Sequence, residues 1–347
     1  MAAAGCACAY EDNSEISKPE ARLSEGGRWP PAVLAQPWQC QRPNRGDLAR
    51  RTWGGIEPQS GSVLRSGDLA SSSVDQRGCG QSTPFASTEH NTLADLVTDM
   101  ERLRVHLGVK QWAIFGGSWG TRLALSYGVA HPDRCVGFIL RGIFLGRERD
   151  VNWFLWGAQQ IFPREHAALC REIADASGSA PQTCRQLLEL AAGVFSAGQP
   201  RSEALAQAWT NYEKAMSSVS PMPADSTKPK DIEASRRKAL SLATLECHYM
   251  RTQLPHAPAI LDQIAAVAHL PCWIVHGRYD IVCPVEQADA LVAAWPGATL
   301  RIAPMSGHWT FEPEMAALLD RASSELLANQ PVPTKSCAPT FQPESTP

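Results

Sequence analysis

The sequence predicts an α/β protein built on a mostly parallel central sheet, with a helical segment inserted between the two halves of the sheet. Three apolar runs, at residues 111–115, 270–277 and 299–303, have the length expected of buried parallel strands. Residues 147–266 differ from them, because helical periodicity prevails there without such runs. Strand-forming segments on both sides of a helical segment indicate one core with an insertion, which suits a chain of 347 residues.

The chain divides into five expected parts along its length. They are an anomalous N-terminal segment (1–73), the first part of the core (74–146), a helical cap (147–266), the second part of the core (267–328) and a disordered tail (329–347). The tail is rich in proline, serine and threonine, a composition that does not support a packed core.

A serine follows the first apolar run, at the turn into an alanine- and leucine-rich segment. Ser118 is the central residue of GGSWG (116–120), which fits the strand–turn–helix pattern G-x-S-x-G of a nucleophile elbow. Glycines at both ends of this motif allow the strand and helix to cross closely, and the backbone N–H of Trp119 is placed to stabilise an oxyanion. The alternative interpretation is an ordinary glycine-rich turn with a solvent-facing serine, but the strand–helix setting favours a nucleophile.

Two more polar residues complete a catalytic triad in the order that α/β-hydrolases use: Ser, Asp, His. Asp280 follows the run at 270–277, and His308 follows the run at 299–303. Open parallel sheets place their active sites at such strand ends, so we expect Ser118, Asp280 and His308 to converge. His308 is the expected general base, and Asp280 is expected to orient it. Each residue alone could be an ordinary loop residue, but three in this order favour a hydrolase.

Composition excludes several classes of partner. The formal net charge is −3, which gives no reason to expect nucleic acid or an anionic membrane surface as a partner. We find no apolar stretch near the roughly 20 residues that span a bilayer, and the first residues make a poor signal peptide. The 11 cysteines are irregularly spaced, so we expect reduced thiols in a cytoplasmic protein.

Three motifs together resemble the proline iminopeptidases of the α/β-hydrolase superfamily. They are DQRGCGQSTP (75–84), GGSWG with LRGIFL (116–120 and 140–145) and HGRYD (276–280). The similarity extends from about residue 74 to about residue 328. It implies a serine exopeptidase that removes N-terminal proline from peptides, with no metal and no cofactor.

The same resemblance implies roles for residues in and near the helical insertion. Glu213 and Glu246 match family positions that bind the free amino group of the substrate. Paired carboxylates in a water-poor pocket suit that task, since they form charge-assisted hydrogen bonds with a cationic nitrogen. Without the resemblance, each would be read as a solvated glutamate on a helix face. The family pattern also assigns substrate contacts to Phe144, Phe154, Tyr249 and Cys283.

The N-terminal segment departs from the family pattern. Members carry a strand ending in His-Gly-Gly-Pro-Gly, whose backbone supplies half of the oxyanion hole, and no such run occurs in residues 1–73. Residues 35–51 are rich in Gln, Arg and Pro, and residues 66–73 lack the apolar strand expected there. We therefore expect residues 35–73 to be mostly irregular.

A shift of reading frame explains this departure. With one choice of codons, residues 38–53 read one base forward as Gly-Asn-Ala-Asn-Gly-Pro-Thr-Val-Ala-Thr-Leu-His-Gly-Gly-Pro-Gly, which contains the missing motif. The alternative hypothesis is a genuinely divergent N-terminus. The nucleotide sequence across codons 30–75 distinguishes them, because a frame shift requires compensating insertions or deletions.

Two other functions stay open at this stage. One keeps the triad but acts on an ester or lactone, since the fold hosts many acyl-transfer reactions. The other is a non-catalytic protein, because loss of one oxyanion donor typically costs about 10²–10³ in rate. Glu213 and Glu246 distinguish an exopeptidase from the first alternative, since a neutral ester gains nothing from two carboxylates. Covalent labelling of Ser118 by a serine-directed phosphonate discriminates the second.

Overall fold

The computed structural model describes residues 33–37, 70–80, 82–198, 200–220 and 232–329. Most of the N-terminal segment and nearly all of the expected tail therefore lie outside the described residues. For residues 33–37 and 70–74 the description is limited to the backbone.

Six parallel strands form the central sheet of the described structure, in the order β2-β1-β3-β4-β5-β6. Their bounds are β1 Val33–Pro37, β2 Ala70–Val74, β3 Trp112–Ser118, β4 Cys135–Ile143, β5 Cys272–Gly277 and β6 Ala298–Ala303. The central strands β3, β4 and β5 are nearly fully buried, as their continuous apolar composition predicts. The expected α/β-hydrolase architecture with a parallel sheet is confirmed.

Helices cover both faces of the sheet because alternate strand residues point in opposite directions. The helices of the two core parts are α1 Leu93–His106, α2 Trp119–Ala130, α9 Glu286–Ala294 and α10 Pro313–Ala328, and the short α8 Ile260–Gln263 lies near the end of the insertion. On one face of the sheet, Phe115 and Val275 belong to a buried cluster that includes Leu319 of α10. On the other face, Ile114 and Leu123 of α2 belong to the main core cluster.

The first five of the described helices between β4 and β5 form a separate layer, which we call the cap. They are α3 Glu148–Leu155, α4 Pro163–Ser177, α5 Cys184–Ala197, α6 Arg201–Met216 and α7 Ile232–Thr252. The cap is joined to the core helix α2 by a stack of aromatic rings, in which Tyr249 lies 4.3 Å from Trp119 with the planes only 9° apart. No described helix has the length and hydropathy needed to cross a membrane.

The expectation of irregular structure before residue 74 is wrong where the backbone is described. Residues 33–37 form a strand between β2 and β3, and residues 70–74 form the neighbouring strand. The cause is tertiary: the edge of β3 offers unpaired N–H and C=O groups, and these pair with backbone whatever the side-chain pattern. Residues 38–69 lie outside the described part of the chain, so the frame-shift hypothesis remains a prediction.

Candidate active site

The backbone at Ser118 has the strained geometry of a nucleophile elbow. Ser118 ends β3, precedes α2 and has φ +55°, a left-handed conformation that non-glycine residues seldom adopt. Strand and helix cross closely here, since a Cβ added to Gly116 would lie 2.5 Å from the carbonyl oxygen of Gly120. The first N–H groups of α2, including that of Trp119, therefore lie beside the Ser118 hydroxyl.

Asp280 and His308 form a buried carboxylate–imidazole pair at the carboxyl ends of β5 and β6. The Nδ1 of His308 lies 2.7 Å from Oδ2 of Asp280, and the other oxygen of Asp280 accepts a 2.7 Å hydrogen bond from the backbone N–H of Cys283. Burial by itself would raise the pKa of Asp280, but the charge and hydrogen bond of His308 hold it below its usual range. Asp280 is thus ionised at neutral pH, as an orienting carboxylate must be.

No hydrogen bond joins the Ser118 hydroxyl to this pair within the described structure. Ser118 does lie near the thiol of Cys283: burial raises the pKa of that thiol, and the Ser118 side chain acts in the opposite direction. The Cys283 sulfur, a carboxylate oxygen of Asp280 and a ring nitrogen of His308 all lie within 4.8 Å of one another. The expected convergence therefore joins Asp280 directly to His308 and brings Ser118 next to them through Cys283. Such looser contacts are common in substrate-free enzymes and tighten when substrate binds.

Asp280, Cys283 and His308 are also a residue set that could ligate a metal ion. Both oxygens of Asp280 are already engaged in hydrogen bonds, one of them with the ring of His308. Burial raises the pKa of the Cys283 thiol well above its usual range, and the charge of Asp280 adds to this effect. A thiol that keeps its proton is a poor metal ligand.

A second buried histidine supports the pair, and sequence reasoning gave it no role. The Nδ1 of His276 accepts a 3.1 Å hydrogen bond from the backbone N–H of Ile143, so its Nε2 carries the proton and donates to the carbonyl of Cys283 at 2.8 Å. Burial lowers the pKa of His276 and favours this neutral form. His276 thereby ties β4 and the Cys283 turn together around Asp280.

Arg141 of β4 is hydrogen-bonded to the loop that carries His308. Its Nη1 donates a 2.9 Å hydrogen bond to the backbone carbonyl of His308. A Cβ added to Gly117 would meet the Arg141 guanidinium at 2.4 Å, so the guanidinium also lies against the turn before Ser118. Sequence reasoning missed this role, because a lone arginine in a strand carries no recognisable signal.

The structure brings the two predicted amine-binding glutamates together on facing cap helices. Glu213 lies on α6 and Glu246 on α7, and a 2.8 Å hydrogen bond runs from the indole N–H of Trp209 to Oε2 of Glu246. Burial, together with the charge of Glu213, raises the pKa of Glu246 well above its ordinary range. Burial also raises the pKa of Glu213, against the opposing charges of His308, Lys238 and Arg141. Glu213 and the imidazole of His308 are therefore electrostatic neighbours.

The other residues implied by the resemblance are buried. Phe144 and Phe154 have little exposed surface, and the carbonyl of Phe154 accepts a 2.7 Å hydrogen bond from the hydroxyl of Tyr212. Tyr249 has no exposed surface; its ring stacks on Trp119 and its hydroxyl donates to Asn91 at 2.5 Å. These interactions of Tyr249 anchor the cap on the core, and its contact with substrate stays a prediction.

These features define a class of protein. An elbow serine beside an Asp–His pair, in the chain order Ser, Asp, His and on a parallel sheet, defines a serine hydrolase. Residues 72–314 match the family model described as alpha/beta hydrolase fold. The acetylester hydrolase of Corynebacterium glutamicum shares this fold, with a TM-score of 0.57 and 16% identity over 86% of each chain.

Sequence comparison identifies the family within the α/β-hydrolases to which the chain belongs. The chain is 36% identical over 259 residues to the proline iminopeptidase of Neisseria meningitidis serogroup A, covering 73% of this chain and 79% of that protein. It is 39% identical over 261 residues to the probable proline iminopeptidase of Leptolyngbya boryana, covering 74% of this chain and 78% of that protein. The chain belongs to the proline iminopeptidase family of α/β-hydrolases.

Proposed function

We propose that this protein is a serine exopeptidase that releases N-terminal proline from peptides. The observation that carries the proposal is the pair of carboxyl groups on facing cap helices, the half-buried Glu213 and the buried Glu246, with Glu213 within electrostatic reach of His308. A protonated N-terminal proline has two N–H donors on its ring nitrogen, and one carboxylate oxygen from each glutamate matches them. A carboxylate pair that is shielded from water costs free energy unless a cation neutralises it, which makes the site selective for a charged amine.

The chemistry assigned to the triad is acyl transfer through an acyl-enzyme. Oγ of Ser118 attacks the carbonyl carbon of the first residue, and Nε2 of His308 takes the serine proton. The N–H of Trp119 stabilises the tetrahedral oxyanion, and His308 then returns the proton to the leaving amine. Water repeats the sequence and releases proline.

Selectivity for proline is assigned to the apolar wall next to the glutamates. Phe144, Phe154 and Cys283 are all buried, and their apolar surface suits a five-membered ring. An N-terminal residue without the ring would leave part of this wall uncovered, and one missing methylene in such a pocket costs about 1–3 kcal/mol.

Hydrolysis of aminoacyl arylamides tests the proposal directly. Prolyl arylamide should be cleaved with a kcat/KM at least tenfold above those of alanyl and leucyl arylamides, and above short-chain esters. A clear preference for any of these competitors would contradict the assigned specificity.

Glu246→Gln provides the discriminating variant. It keeps the hydrogen bond from Trp209 but removes a negative charge, so kcat/KM for prolyl arylamide should fall by about 10²-fold or more. Turnover of p-nitrophenyl acetate, which has no amine, should change little. Equal loss on both substrates would show that Glu246 is structural and would favour an esterase.

Labelling of Ser118 by a serine-directed phosphonate tests whether the chain is an active enzyme at all. We expect stoichiometric labelling that Ser118→Ala abolishes. Binding of proline-headed peptides without labelling would identify a non-catalytic protein. We place the protein in the cytoplasm on the spacing of its cysteines; fractionation of cells checks this.

A further inference from the structure

One buried carboxylate outside the triad connects the catalytic loop to the cap. Glu312 precedes α10 and is only 6% exposed. Its Oε1 accepts hydrogen bonds from the backbone N–H of Val219 at 2.9 Å and from the hydroxyl of Ser218 at 3.2 Å. Its Oε2 accepts from the backbone N–H of Gly307. Three donors from two distant parts of the chain thus meet on one side chain.

The donor on the core side belongs to the loop that carries the catalytic base. Gly307 directly precedes His308, and the N–H of Trp309, directly after it, donates a 2.7 Å hydrogen bond to the carbonyl of Ser217. A Cβ added to Gly307 would meet that same carbonyl oxygen at 3.2 Å. The backbone on both sides of His308 is therefore pressed against residues 217–219.

The donors on the cap side belong to the end of the helix that carries Glu213. Helix α6 ends at Met216, and the hydroxyl of Ser217 donates a 2.8 Å hydrogen bond to the backbone carbonyl of Glu213. A short, hydrogen-bonded path therefore runs from the backbone of Glu213 through residues 217–219 to Glu312 and on to the His308 loop.

We propose that Glu312 is a positioning residue that sets the catalytic imidazole and the amine-binding carboxylate at a fixed distance from each other. The part of this inference that concerns Glu213 rests on the proposed function. The chemistry requires a carboxylate: its two oxygens accept from three donors, whereas a glutamine would turn its NH₂ group towards one of two backbone N–H groups. Loss of this acceptor leaves a buried N–H unsatisfied and releases one side of the link.

Glu312→Gln is the central variant, because its shape is conserved. A misplacement of about 1 Å can cost about 10²-fold in rate. We expect kcat/KM for prolyl arylamide to fall by about 10²-fold, mainly in kcat, and kcat/KM for p-nitrophenyl acetate to fall about tenfold less. The ester needs His308 but not Glu213, so the difference between substrates reports the link to the cap. In a Glu213→Gln background, the effect of Glu312→Gln on the prolyl substrate should shrink to its effect on the ester.

Glu314→Gln is the matched control. Glu314 is a carboxylate two residues away that accepts a 2.7 Å hydrogen bond from the N–H of Met305, on the exposed side of the same loop and away from the cap. This variant should stay within twofold of the wild type on both substrates. If Glu312→Gln does not fold, Glu312→Asp keeps the charge but shortens the reach, and should show the same difference between substrates at smaller size.

Several results would overturn the proposal. One is an equal loss of kcat/KM on the amide and the ester in Glu312→Gln. Another is a double variant in which the losses of Glu312→Gln and Glu213→Gln simply multiply. The third is a kcat/KM that Glu312→Gln leaves unchanged. If the wild type fails to prefer prolyl arylamide, the proposed function is wrong, whereas the rate of Ser118 labelling by a neutral phosphonate still measures whether Glu312 holds the His308 loop. A labelling rate in Glu312→Gln equal to that of the wild type would then refute the positioning role.

Discussion

Asp280 has two tasks, and the two oxygens of its carboxylate divide them. Oδ1 closes the turn at Cys283 and Oδ2 holds the ring of His308. One side chain therefore serves both a local turn and the proposed catalytic pair. The first task fixes the orientation of the carboxylate that the second task uses.

Asp280→Asn should separate the two tasks. The amide oxygen can still accept from Cys283, but an NH₂ group then faces His308 and favours the wrong tautomer. We expect kcat for prolyl arylamide to fall by about 10³–10⁴-fold with little change in thermal stability. Steady-state kinetics and thermal unfolding measure both effects. Asp289→Asn, the same change at an exposed position of α9, is the control, and a loss below tenfold in Asp280→Asn would argue against the assigned role.

At the residue scale, identities were more predictable than contacts. Ser118, Asp280 and His308 could be assigned from the sequence because each follows a strand, and chain order restricts the choice. The proximity of the Ser118 side chain to Cys283 could not, since it depends on side-chain rotation. Glu312 was missed as well, because its donors are backbone groups of distant segments and leave no mark in the sequence.

The crossing of β3 and α2 sets the geometry of the elbow at the scale of elements. Gly116→Ala places a methyl group 2.5 Å from the carbonyl oxygen of Gly120 and 2.8 Å from Cβ of Ala124, so the crossing must widen. We expect a loss of about 1–3 kcal/mol in the free energy of unfolding, and a larger loss in activity because Ser118 moves. Chemical denaturation and labelling of Ser118 check the two effects.

Gly193→Ala is the matched control for that substitution. Gly193 lies inside α5, and a Cβ added there meets no atom within 4 Å. Alanine should stabilise this helix by about 0.5–1 kcal/mol relative to glycine. The two variants should therefore change the free energy of unfolding in opposite directions. A loss of stability in both would mean that the loss in Gly116→Ala does not come from the crossing at the elbow.

The facing helices α6 and α7 bring the carboxyl groups of Glu213 and Glu246 together, which lowers the stability of the folded protein when both are ionised. The pKa of Glu246 in the folded state lies well above the ordinary value of 4.5. The folded protein therefore binds a proton that the unfolded chain has lost, and stability falls as pH rises from about 4.5 towards the folded pKa. Glu246→Gln removes this cost, so its melting temperature should exceed that of the wild type at pH 8 and match it near pH 4.5. Exposed Glu233→Gln should show no such pH-dependent difference, and a lower melting temperature for Glu246→Gln at pH 8 would contradict the account.

Strands with long apolar runs were predicted correctly, whereas strands that form because a neighbouring strand edge pairs with them were not. The runs at 111–115, 270–277 and 299–303 became β3, β5 and β6, because buried parallel strands need continuous apolar residues. The cap appeared as helices for the same kind of reason, from its periodicity. Strands β1 and β2 were missed, since β1 has only three consecutive apolar residues and β2 is mostly serine, and their conformation comes from the neighbouring strand edge.

On the scale of the whole molecule, one ion-pair group fastens the last helix to the sheet. Glu325 of α10 accepts hydrogen bonds from Arg301 of β6 and from the indole N–H of Trp273 of β5, each at 2.8 Å. The hydrogen bonds of Arg301 dominate in lowering the pKa of Glu325 from 4.5 to about 2. The stabilising contribution is therefore present above about pH 4.5 and is lost as pH falls towards 2.

Glu325→Gln should lower the melting temperature at pH 7 and should match the wild type near pH 2. Thermal unfolding across this range gives the measurement, with Glu233→Gln as a control that should track the wild type. A constant difference from pH 7 to pH 2 would mean that the variant acts through packing of α10 rather than through charge.

The position of the site residues along the chain has a consequence for synthesis. The proposed nucleophile is encoded at 118, the proposed orienting carboxylate at 280 and the proposed base at 308, and Glu312 comes later still. At about 5–20 residues per second, the ribosome adds the base about 10–40 s after the serine. During that interval the growing chain has a serine but no group to take its proton. The protein therefore stays inert towards the newly made N-termini around it until almost the last helix has been translated.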